Sequence, residues 1–452
     1  FGIYSAGSSC TRISNRYKKM KLLKSKKLKL NPFQAIVFGF LSYVVIGVVL
    51  ISMPFSQKID VCFVDNLFNV VSAMSTTGLT TGSISELYTP FGILVLLGLI
   101  QLGGIGYMTL TSFLMLSTSR KIPTHRVKVL SAEFTMPETF ELKQFVKSII
   151  VYTFLIELAG TVLLTAQFAA LGIENPLWSG LFHSVSAFST AGFSIYGDSF
   201  IRFQDDIFIN LTIIFLCYSG AIGFIVPVDV YRRVTGKSRE ITFTSKIILI
   251  ITALIAILGT AIYIFDSGSG LLQALFQVMA ASTTSGFNSV DLSKLPDASL
   301  LVLIFAMIIG ASPSGTGGGL KTTSVSAILG IISSVIQGHP ERITFLNRVI
   351  PPNRVMTAAA AATGYMFLLF LSTLLMCIFD SHSFMELFFE TASALGTVGL
   401  SLGITADLST IGKIILTFTM FFGRLGILTL GIAFFRVKES HNIVRAQSDL
   451  AV

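Results

Sequence analysis

The chain has 452 residues, and 12% of them are charged, which is about half the share in soluble globular proteins. Apolar residues make up 52%, and the mean hydropathy is +0.79. So few charges cannot cover the surface of a soluble chain this apolar, so the composition excludes a disordered protein and a cytosolic enzyme. Because the apolar residues form long runs, the sequence predicts an all-α membrane protein and disfavours a transmembrane barrel.

Eight apolar runs are long enough for helices that cross a bilayer, which takes roughly 17–25 residues. The predicted spans are 33–53, 91–117, 147–171, 207–230, 246–265, 299–335, 355–379 and 411–435. Four shorter apolar stretches lie between successive pairs of spans, at 61–76, 176–190, 270–284 and 383–397. Their length suits re-entrant half-helices, so the chain is predicted to repeat the order span, half-helix, loop and span four times around a pseudo-four-fold pore.

This repetition predicts six segments. They are a basic cytoplasmic N-terminal tail (1–32), repeat 1 (33–117), repeat 2 with its preceding cytoplasmic loop (118–232), repeat 3 with an intramembrane loop (233–337), repeat 4 (338–436) and a cytoplasmic C-terminal tail (437–452).

The distribution of charge supports this topology. With both termini inside, the inside segments carry a net charge of +18 and the outside segments carry −10. Cytoplasmic flanks of membrane proteins carry excess Lys and Arg, and a miscounted span would degrade this asymmetry. For the same reason the overall charge of +9 does not point to nucleic acid. Three charges, Glu157, Lys321 and Arg424, remain within predicted spans.

Each half-helix ends in the same motif, in which Thr and Gly are separated by one residue. An Ala precedes each Thr by three positions, and a Phe precedes it by eight. The motif residues are Thr76, Thr77 and Gly78; Thr190, Ala191 and Gly192; Thr284, Ser285 and Gly286; and Thr397, Val398 and Gly399. Close packing of small residues would explain one such motif, but a fixed motif in four units indicates internal repetition.

Four such loops predict a binding site for a monovalent cation. Glycine permits positive φ, so successive carbonyl groups can point at one axis and replace the hydration shell of an ion. The half-helices would direct their negative C-terminal ends toward that ion. The motifs contain no carboxylate, which a divalent cation would favour. The twelve motif residues are therefore predicted to form an ion-selectivity filter, with no organic cofactor bound to the chain.

This arrangement resembles the Trk/Ktr/HKT superfamily of potassium transporters over roughly residues 33–436, most closely the membrane subunit of the Ktr type. The resemblance implies potassium uptake across the plasma membrane and no enzymatic activity. Gly78 favours potassium, because Ser at this position marks sodium-selective plant relatives. Sodium remains a candidate coupling or regulatory ion. The alternatives are a sodium or poorly selective monovalent cation transporter and a coupled secondary transporter.

The resemblance also implies partners. Ktr-type relatives dimerise and work with a separate cytosolic ring of nucleotide-binding RCK subunits. The basic loops 118–147 and 231–246 and the tail 436–452 are candidate docking surfaces, although their charge is equally explained by the membrane topology.

The sixth predicted span is too long for one crossing and contains GASPSGTGGGLKTTS at 310–324. Pro313 and the glycines would break a helix here. A phosphate-binding loop is disfavoured, because Leu320 separates Gly319 from Lys321 and spoils the required spacing. The resemblance implies a gate beneath the filter. The candidate gate residues in this segment are Gly315, Gly317, Gly318, Gly319, Lys321 and Thr322.

Arg424 is the last candidate gate residue. A charge within a span costs at least ~2.5 kcal/mol, so Arg424 should face the bundle interior. On a straight helix it would lie about 18 Å from Arg436, too far to snorkel to the inner surface. The resemblance implies that it forms an electrostatic barrier below the filter. Two roles remain open for Glu157, pairing with a neighbouring helix or lining a water pocket. The glycines at 102–106 and 219–223 are predicted to serve close helix packing.

Overall fold

The computed structural model describes residues 32–106, 109, 112, 142–236, 238 and 240–435. Within these ranges the ordered elements are helices and one antiparallel hairpin, formed by β1 (Thr344–Phe345) and β2 (Arg348–Val349). Nearly all of the predicted N-terminal tail, most of the loop 118–147 and the predicted C-terminal tail lie outside the described residues.

The helices follow the predicted order. Repeats 1 and 2 contain α1 (Pro32–Ile51), α2 (Phe63–Ser75), α3 (Ile84–Leu87), α4 (Pro90–Ile105), α5 (Leu142–Ala170), α6 (Pro176–Phe188), α7 (Ile207–Ala221) and α8 (Ile225–Val234). Repeats 3 and 4 contain α9 (Phe243–Ser267), α10 (Leu271–Ser282), α11 (Asp297–Ile308), α12 (Thr322–Ile336), α13 (Pro352–Phe379), α14 (Phe384–Gly396), α15 (Thr410–Leu425) and α16 (Ile427–Phe434). Single 3-10 turns occur at Pro54–Ser56, Ile201–Phe203 and Leu292–Lys294.

The first helix of each repeat is the long one. Among the described residues, α1, α5, α9 and α13 are long and apolar enough to cross a membrane. The second helix of each repeat is shorter or bent, with 16 residues in α4 and 12 in α11. The pairs α7–α8 and α15–α16 each have the length and composition of a span but bend by 93° and 90°. Length and composition therefore support four crossings, or six if each bent pair is one span.

The predictions of continuous spans at 207–230 and 411–435 are wrong. The first breaks between Ala221 and Ile225, and the second breaks at Gly426. Gly223 and Gly426 have φ of 83° and 79°, a value that an α-helix, which needs φ near −60°, cannot include. Gly106 ends α4 with φ of 85°. Glycines predicted for packing therefore also end the second helix of a repeat.

The four short helices α2, α6, α10 and α14 lie in the interior of the bundle. The Phe that precedes each motif Thr by eight residues is at most 1% exposed in all four repeats. The long helices instead expose large apolar side chains, including Phe265 at 92% and Phe370 at 69%. An apolar exterior around a polar interior is the distribution expected of a protein surrounded by lipid.

An ion pair joins the last repeat to the first. The Lys413 ammonium at the start of α15 lies 2.9 Å from the Asp65 carboxylate in the first turn of α2. The two side chains are 14% and 23% exposed, so the pair is partly shielded from solvent. It lies beside an apolar cluster that includes Phe68 of α2 and Met420 of α15. Repeats 1 and 4 therefore contact each other directly and close the bundle.

Replacing Lys413 by Met should lower the stability of the purified protein by about 1 kcal/mol, because the Asp65 carboxylate loses its partner. Thermal unfolding in detergent measures the change. Lys294→Met provides the matched control, because Lys294 pairs with Asp291 at 2.9 Å while its side chain is 81% exposed, and it should leave the midpoint unchanged. A double variant with Asp65→Asn that is much less stable than Lys413→Met alone would contradict the pairing.

Candidate functional site

Each short helix ends in a turn of the same geometry. In repeat 1 the backbone N–H of Thr76 donates to the carbonyl of Ala73 at 3.1 Å, and that of Thr77 donates to Ser72 at 2.8 Å. This pair of bonds is a Schellman motif, which satisfies carbonyl groups at a helix C-terminus. The same pair recurs in the other three repeats with lengths between 2.8 and 3.2 Å. The repeated Ala thus supplies one of the two acceptors of a repeated turn.

The motif Thr adopts a strained backbone in every repeat. Thr76, Thr190, Thr284 and Thr397 have φ of 55°, 52°, 57° and 49°. A β-branched residue rarely adopts this left-handed conformation, which costs on the order of 1–3 kcal/mol and persists only where the surroundings enforce it. Gly78, Gly192, Gly286 and Gly399 also have positive φ, at 96°, 67°, 74° and 96°. The four loops therefore share one backbone conformation.

The four loops close into a ring. A Cβ atom added to the Gly of one loop would overlap the backbone carbonyl oxygen of the middle residue of the next loop. The four pairs are Gly78 with Ala191, Gly192 with Ser285, Gly286 with Val398, and Gly399 with Thr77. The order is cyclic, because repeat 4 meets repeat 1. The structure thus brings all twelve predicted motif residues together, and we call them the Thr-x-Gly ring.

A cavity of about 340 Å³ opens on one side of the Thr-x-Gly ring, and all four glycines line it. The other lining residues include Ser194, Ser401 and the acidic Asp198. We call it the outer cavity. An acidic side chain and several hydroxyl groups make its lining favourable for a cation.

The glycine-rich loop, residues 309–321, packs on the other side of the Thr-x-Gly ring. It folds back on the end of α11, where the N–H of Leu320 donates to the carbonyl of Ile308 at 3.0 Å. It also docks on the end of α7, where the N–H of Thr316 donates to the carbonyl of Gly220 at 3.1 Å. The predicted break in the sixth span is confirmed, and the break forms an ordered loop held by two helices.

The tip of the glycine-rich loop contacts all four threonines of the ring. The contacts are Thr76 Oγ1 donating to the Thr316 carbonyl (3.4 Å), Thr190 Oγ1 with Thr316 Oγ1 (3.1 Å), Gly318 N–H donating to Thr284 Oγ1 (2.9 Å), and Gly318 against the Thr397 side chain. The loop therefore lies across the central axis of the ring.

The predicted gate glycines are positions where backbone meets backbone. A Cβ on Gly315 would press on the carbonyl of Ala221, and one on Gly317 would meet the Thr284 side chain. Gly319 has φ of 68°, which favours glycine. Lys321 supports the loop directly, because its Nζ donates to the carbonyl of Gly317 at 2.7 Å.

The predicted role of Thr322 in holding the loop is wrong. Thr322 is the first residue of α12, and its buried hydroxyl has no hydrogen-bond partner among the described residues. Thr316, which the sequence did not single out, makes the central contacts instead. The available signal was weak, because Thr316 is a lone hydroxyl residue between two glycines of the loop.

Arg424 faces the interior, as predicted. Its Nη1 donates to the carbonyl of Thr316 and its Nη2 donates to the carbonyl of Gly103 at the end of α4. The argument from distance along a straight helix is wrong, because α15 ends at Leu425 and the chain turns at Gly426. Two carbonyl groups, and not the distance to Arg436, account for the position of the guanidinium.

The glycines near Arg424 and their counterparts serve close packing, as predicted for repeats 1 and 2. A Cβ on Gly103, Gly220 or Gly423 would overlap a backbone carbonyl oxygen in the last turn of the short helix of its own repeat. The residue after each of these glycines is Gly104, Ala221 and Arg424. Repeat 4 alone among these three therefore places a long cationic side chain below the ring.

A second cavity, of about 370 Å³, lies beyond the glycine-rich loop. Gly317, Lys321 and Arg424 are among its lining residues. We call it the inner cavity. Two cationic side chains at its wall oppose the presence of a further cation.

Two other intramembrane groups have defined partners. The Glu157 carboxylate in α5 accepts a hydrogen bond of 3.0 Å from the Gln101 amide in α4, so of the two roles left open the structure shows pairing with a neighbouring helix. The buried His183 ring stacks on Tyr196 at 4.8 Å, as expected of a packed residue. Within the described ranges, no group of three or more His, Cys, Asp or Glu residues is arranged to hold a metal ion.

The profile of the TrkH family, described as a cation transport protein, matches residues 91–247 and 239–446. The chain belongs to this family. The predicted resemblance to the Trk and Ktr transporters is thereby confirmed, and the TrkH family is a class of membrane transporters and not of enzymes.

Three relatives and one solved structure show how far the similarity extends. The chain is 33% identical to "Ktr system potassium uptake protein D" of Bacillus subtilis over 88% of this chain and 92% of the relative. It is 31% identical to "Ktr system potassium uptake protein B" of the same organism, over 93% and 98%. It is 30% identical to "Potassium/sodium uptake protein NtpJ" of Enterococcus hirae, over 91% and 94%.

The potassium transporter TrkH from Vibrio parahaemolyticus superposes on this chain with a TM-score of 0.69 at 22% identity, over 91% of this chain and 86% of that chain. This likeness shows a shared fold.

Replacing Gly192 by Ala should destabilise the protein by about 2 kcal/mol or more, because Ala disfavours the observed φ of 67° and its Cβ would overlap the Ser285 carbonyl oxygen. Gly98→Ala in α4 is the matched control, since a Cβ there meets nothing within 4 Å. Thermal unfolding in detergent compares the two. Equal midpoints would mean that the loops do not pack as described.

Proposed function

We propose that this chain is the pore-forming subunit of a potassium uptake system in the plasma membrane, with eight crossings and both termini cytoplasmic. The observation that carries the proposal is the closed Thr-x-Gly ring, in which four loops of the same backbone conformation meet between two cavities. The names of the Bacillus relatives as potassium uptake proteins support the choice of ion.

The Thr-x-Gly ring is the proposed selectivity filter. Four short helices end at the ring, so their partial negative charges favour a cation there without any carboxylate in the motif. Backbone carbonyl oxygens and threonine hydroxyls would replace the water around a dehydrated monovalent ion. The middle residues differ among the repeats, as Thr77, Ala191, Ser285 and Val398, and this asymmetry favours a weaker preference than four identical loops would give.

The glycine-rich loop is the proposed gate. It contacts all four ring threonines, so an ion leaving the filter cannot pass while the loop stays in place. Arg424 and Lys321 bond to carbonyl groups of this loop. We propose that these bonds hold the closed state and that the two charges form the electrostatic barrier. Opening would require the tip around Thr316 to move away from the axis.

The energy for uptake would come from the membrane potential. An inside-negative potential supplies ~2.3 kcal/mol per 100 mV for each monovalent cation that crosses. Net uptake then needs no bound nucleotide in this chain. A homodimer, a cytosolic ring of nucleotide-binding RCK subunits and surrounding lipid are the proposed partners, and sodium is the proposed coupling or regulatory ion.

A second candidate is a potassium and sodium transporter of low selectivity. The name of the Enterococcus relative, a potassium/sodium uptake protein, favours it. A coupled secondary transporter is a further alternative. Uptake of isotopic rubidium by a potassium-starved host, with sodium as competitor, separates these functions. The absence of rubidium uptake by the wild type would overturn the proposal.

Replacing Gly78 by Ser should lower the preference for potassium over sodium, by roughly tenfold. A side chain at 78 has φ of 96° and would press on the Ala191 carbonyl oxygen, which displaces an oxygen of the ring. Competition between rubidium and sodium during uptake measures the preference. An unchanged preference would count against the filter assignment.

Deleting Gly315 to Gly319 should raise the uptake rate severalfold, because the contacts that close the ring are lost. Arg424→Gln should raise the rate by a smaller factor, since it removes the charge and weakens one bond to the loop. The rate is normalised to the amount of protein in the membrane. A deletion variant that is present in the membrane but inactive, or no faster than the wild type, would refute the gate.

A further inference from the structure

Each short helix carries a polar side chain seven residues before the motif Thr. The four residues are Asn69, His183, Gln277 and Glu390. Each is 0% exposed, although the neighbours in the bundle are largely apolar. Burying a polar group without a hydrogen bond is costly, and most costly within a membrane. The partners of these four side chains therefore indicate what they do.

All four side chains bond to the chain segment that leaves their own loop. The partner is a hydroxyl group 11 or 12 residues further along. The bonds are Asn69 Nδ2 to Thr81 Oγ1 (3.1 Å), His183 Nε2 with Ser194 Oγ (3.0 Å), Gln277 Nε2 to Ser289 Oγ (3.3 Å) and Ser401 Oγ to Glu390 Oε1. Each loop is thus held where it begins, by the Schellman turn, and where it ends, by this bond.

The bonds in repeats 1 and 2 have defined directions. The N–H of Thr81 also donates to Asn69 Oδ1 at 3.1 Å, so the Asn69 amide is held on both sides. His183 Nδ1 lies 2.8 Å from the Ser179 carbonyl oxygen. A carbonyl oxygen only accepts, so Nδ1 carries the hydrogen, and in the neutral ring Nε2 accepts from Ser194.

Glu390 makes the strongest of the four connections. Its carboxylate accepts hydrogen bonds from two hydroxyl groups, Ser401 Oγ and, at 3.1 Å, Thr405 Oγ1. Both partners line the outer cavity, and Ser401 follows Gly399 by two residues. Gly399 in turn packs on the Thr77 carbonyl and closes the ring between repeats 4 and 1. The position of Glu390 therefore bears on the closure of the ring.

We infer that Asn69, His183, Gln277 and Glu390 are positioning residues that fix the exit of each loop and so determine the ion preference of the Thr-x-Gly ring. The inference rests on the proposed function of the ring as a filter. A loop held at both ends keeps its oxygen atoms at a fixed spacing, whereas a loop held at one end can contract around a smaller ion. Loss of the bond should therefore favour sodium.

Glu390 offers the sharpest test, because its bonds can be removed from either side. Glu390→Leu should lower the preference for rubidium over sodium at least tenfold, and Glu390→Gln should lower it less, because the amide still bonds to both hydroxyls. The pair Ser401→Ala with Thr405→Val removes the partners and leaves the helix intact. Each variant is measured by rubidium uptake with sodium competition, normalised to its abundance in the membrane.

Thr391→Val is the matched control. Thr391 is the next residue of α14 and is also 0% exposed, but its hydroxyl donates at 2.7 Å to the Leu387 carbonyl within the same helix. It should keep the wild-type preference. A merely structural role of Glu390 would lower abundance in all variants without changing the ratio of rubidium to sodium uptake.

The inference is overturned if the Ser401→Ala/Thr405→Val variant and Glu390→Gln are both present in the membrane and keep the wild-type preference within a factor of two. If Glu390→Leu does not accumulate, the hydroxyl variant decides. A wild type that transports rubidium without preference over sodium would refute the proposed filter, and this result is distinguishable from variants that match a selective wild type.

Discussion

The approach of each motif glycine to the backbone of the next loop is the constraint on which the other features of this site depend. No side chain fits between Gly399 and the Thr77 carbonyl or at the three equivalent contacts, so the loops can meet only as bare backbone. Non-helical backbone at membrane depth must be buried in protein or face a watery cavity. The short helices, the turns at their ends and the two cavities together meet this requirement, because they satisfy the loops on one side and leave the axis open on the other.

The scarcity of charge follows from the same constraint. A ring of backbone and hydroxyl oxygens binds a cation without a carboxylate, so the membrane interior needs few ionised groups. Arg424 and Lys321 lie below the ring, where both bond to carbonyl groups of the glycine-rich loop. Each compensates its burial through these bonds, and their positions couple the state of the loop to the electrostatics of the inner cavity.

The repeated motifs were predictable because a local turn needs local residues. Ala, Thr and Gly at fixed spacing specify a helix end, a left-handed Thr and a close contact, and all three recur in the structure. The bends at Gly223 and Gly426 were not predictable from hydropathy, because the apolar run continues across both breaks. Thr316 was missed for a related reason, since its contacts lie 126 or more residues away in the sequence. The partner of Glu390 is only 11 residues away, yet the acid varies in type among the repeats and so hides the shared position.

The sequence by itself determined that this chain lies in a membrane, that it contains four related units and that each unit ends a short helix in a Thr-x-Gly loop. Composition, apolar run length and motif spacing are properties of neighbouring residues, so the linear chain carries them. Only the tertiary structure decided that the loops close in cyclic order, that the glycine-rich loop lies across their axis and that Arg424 reaches both Gly103 and Thr316. These contacts join residues as many as 321 positions apart, and no local preference specifies which of the distant surfaces will meet.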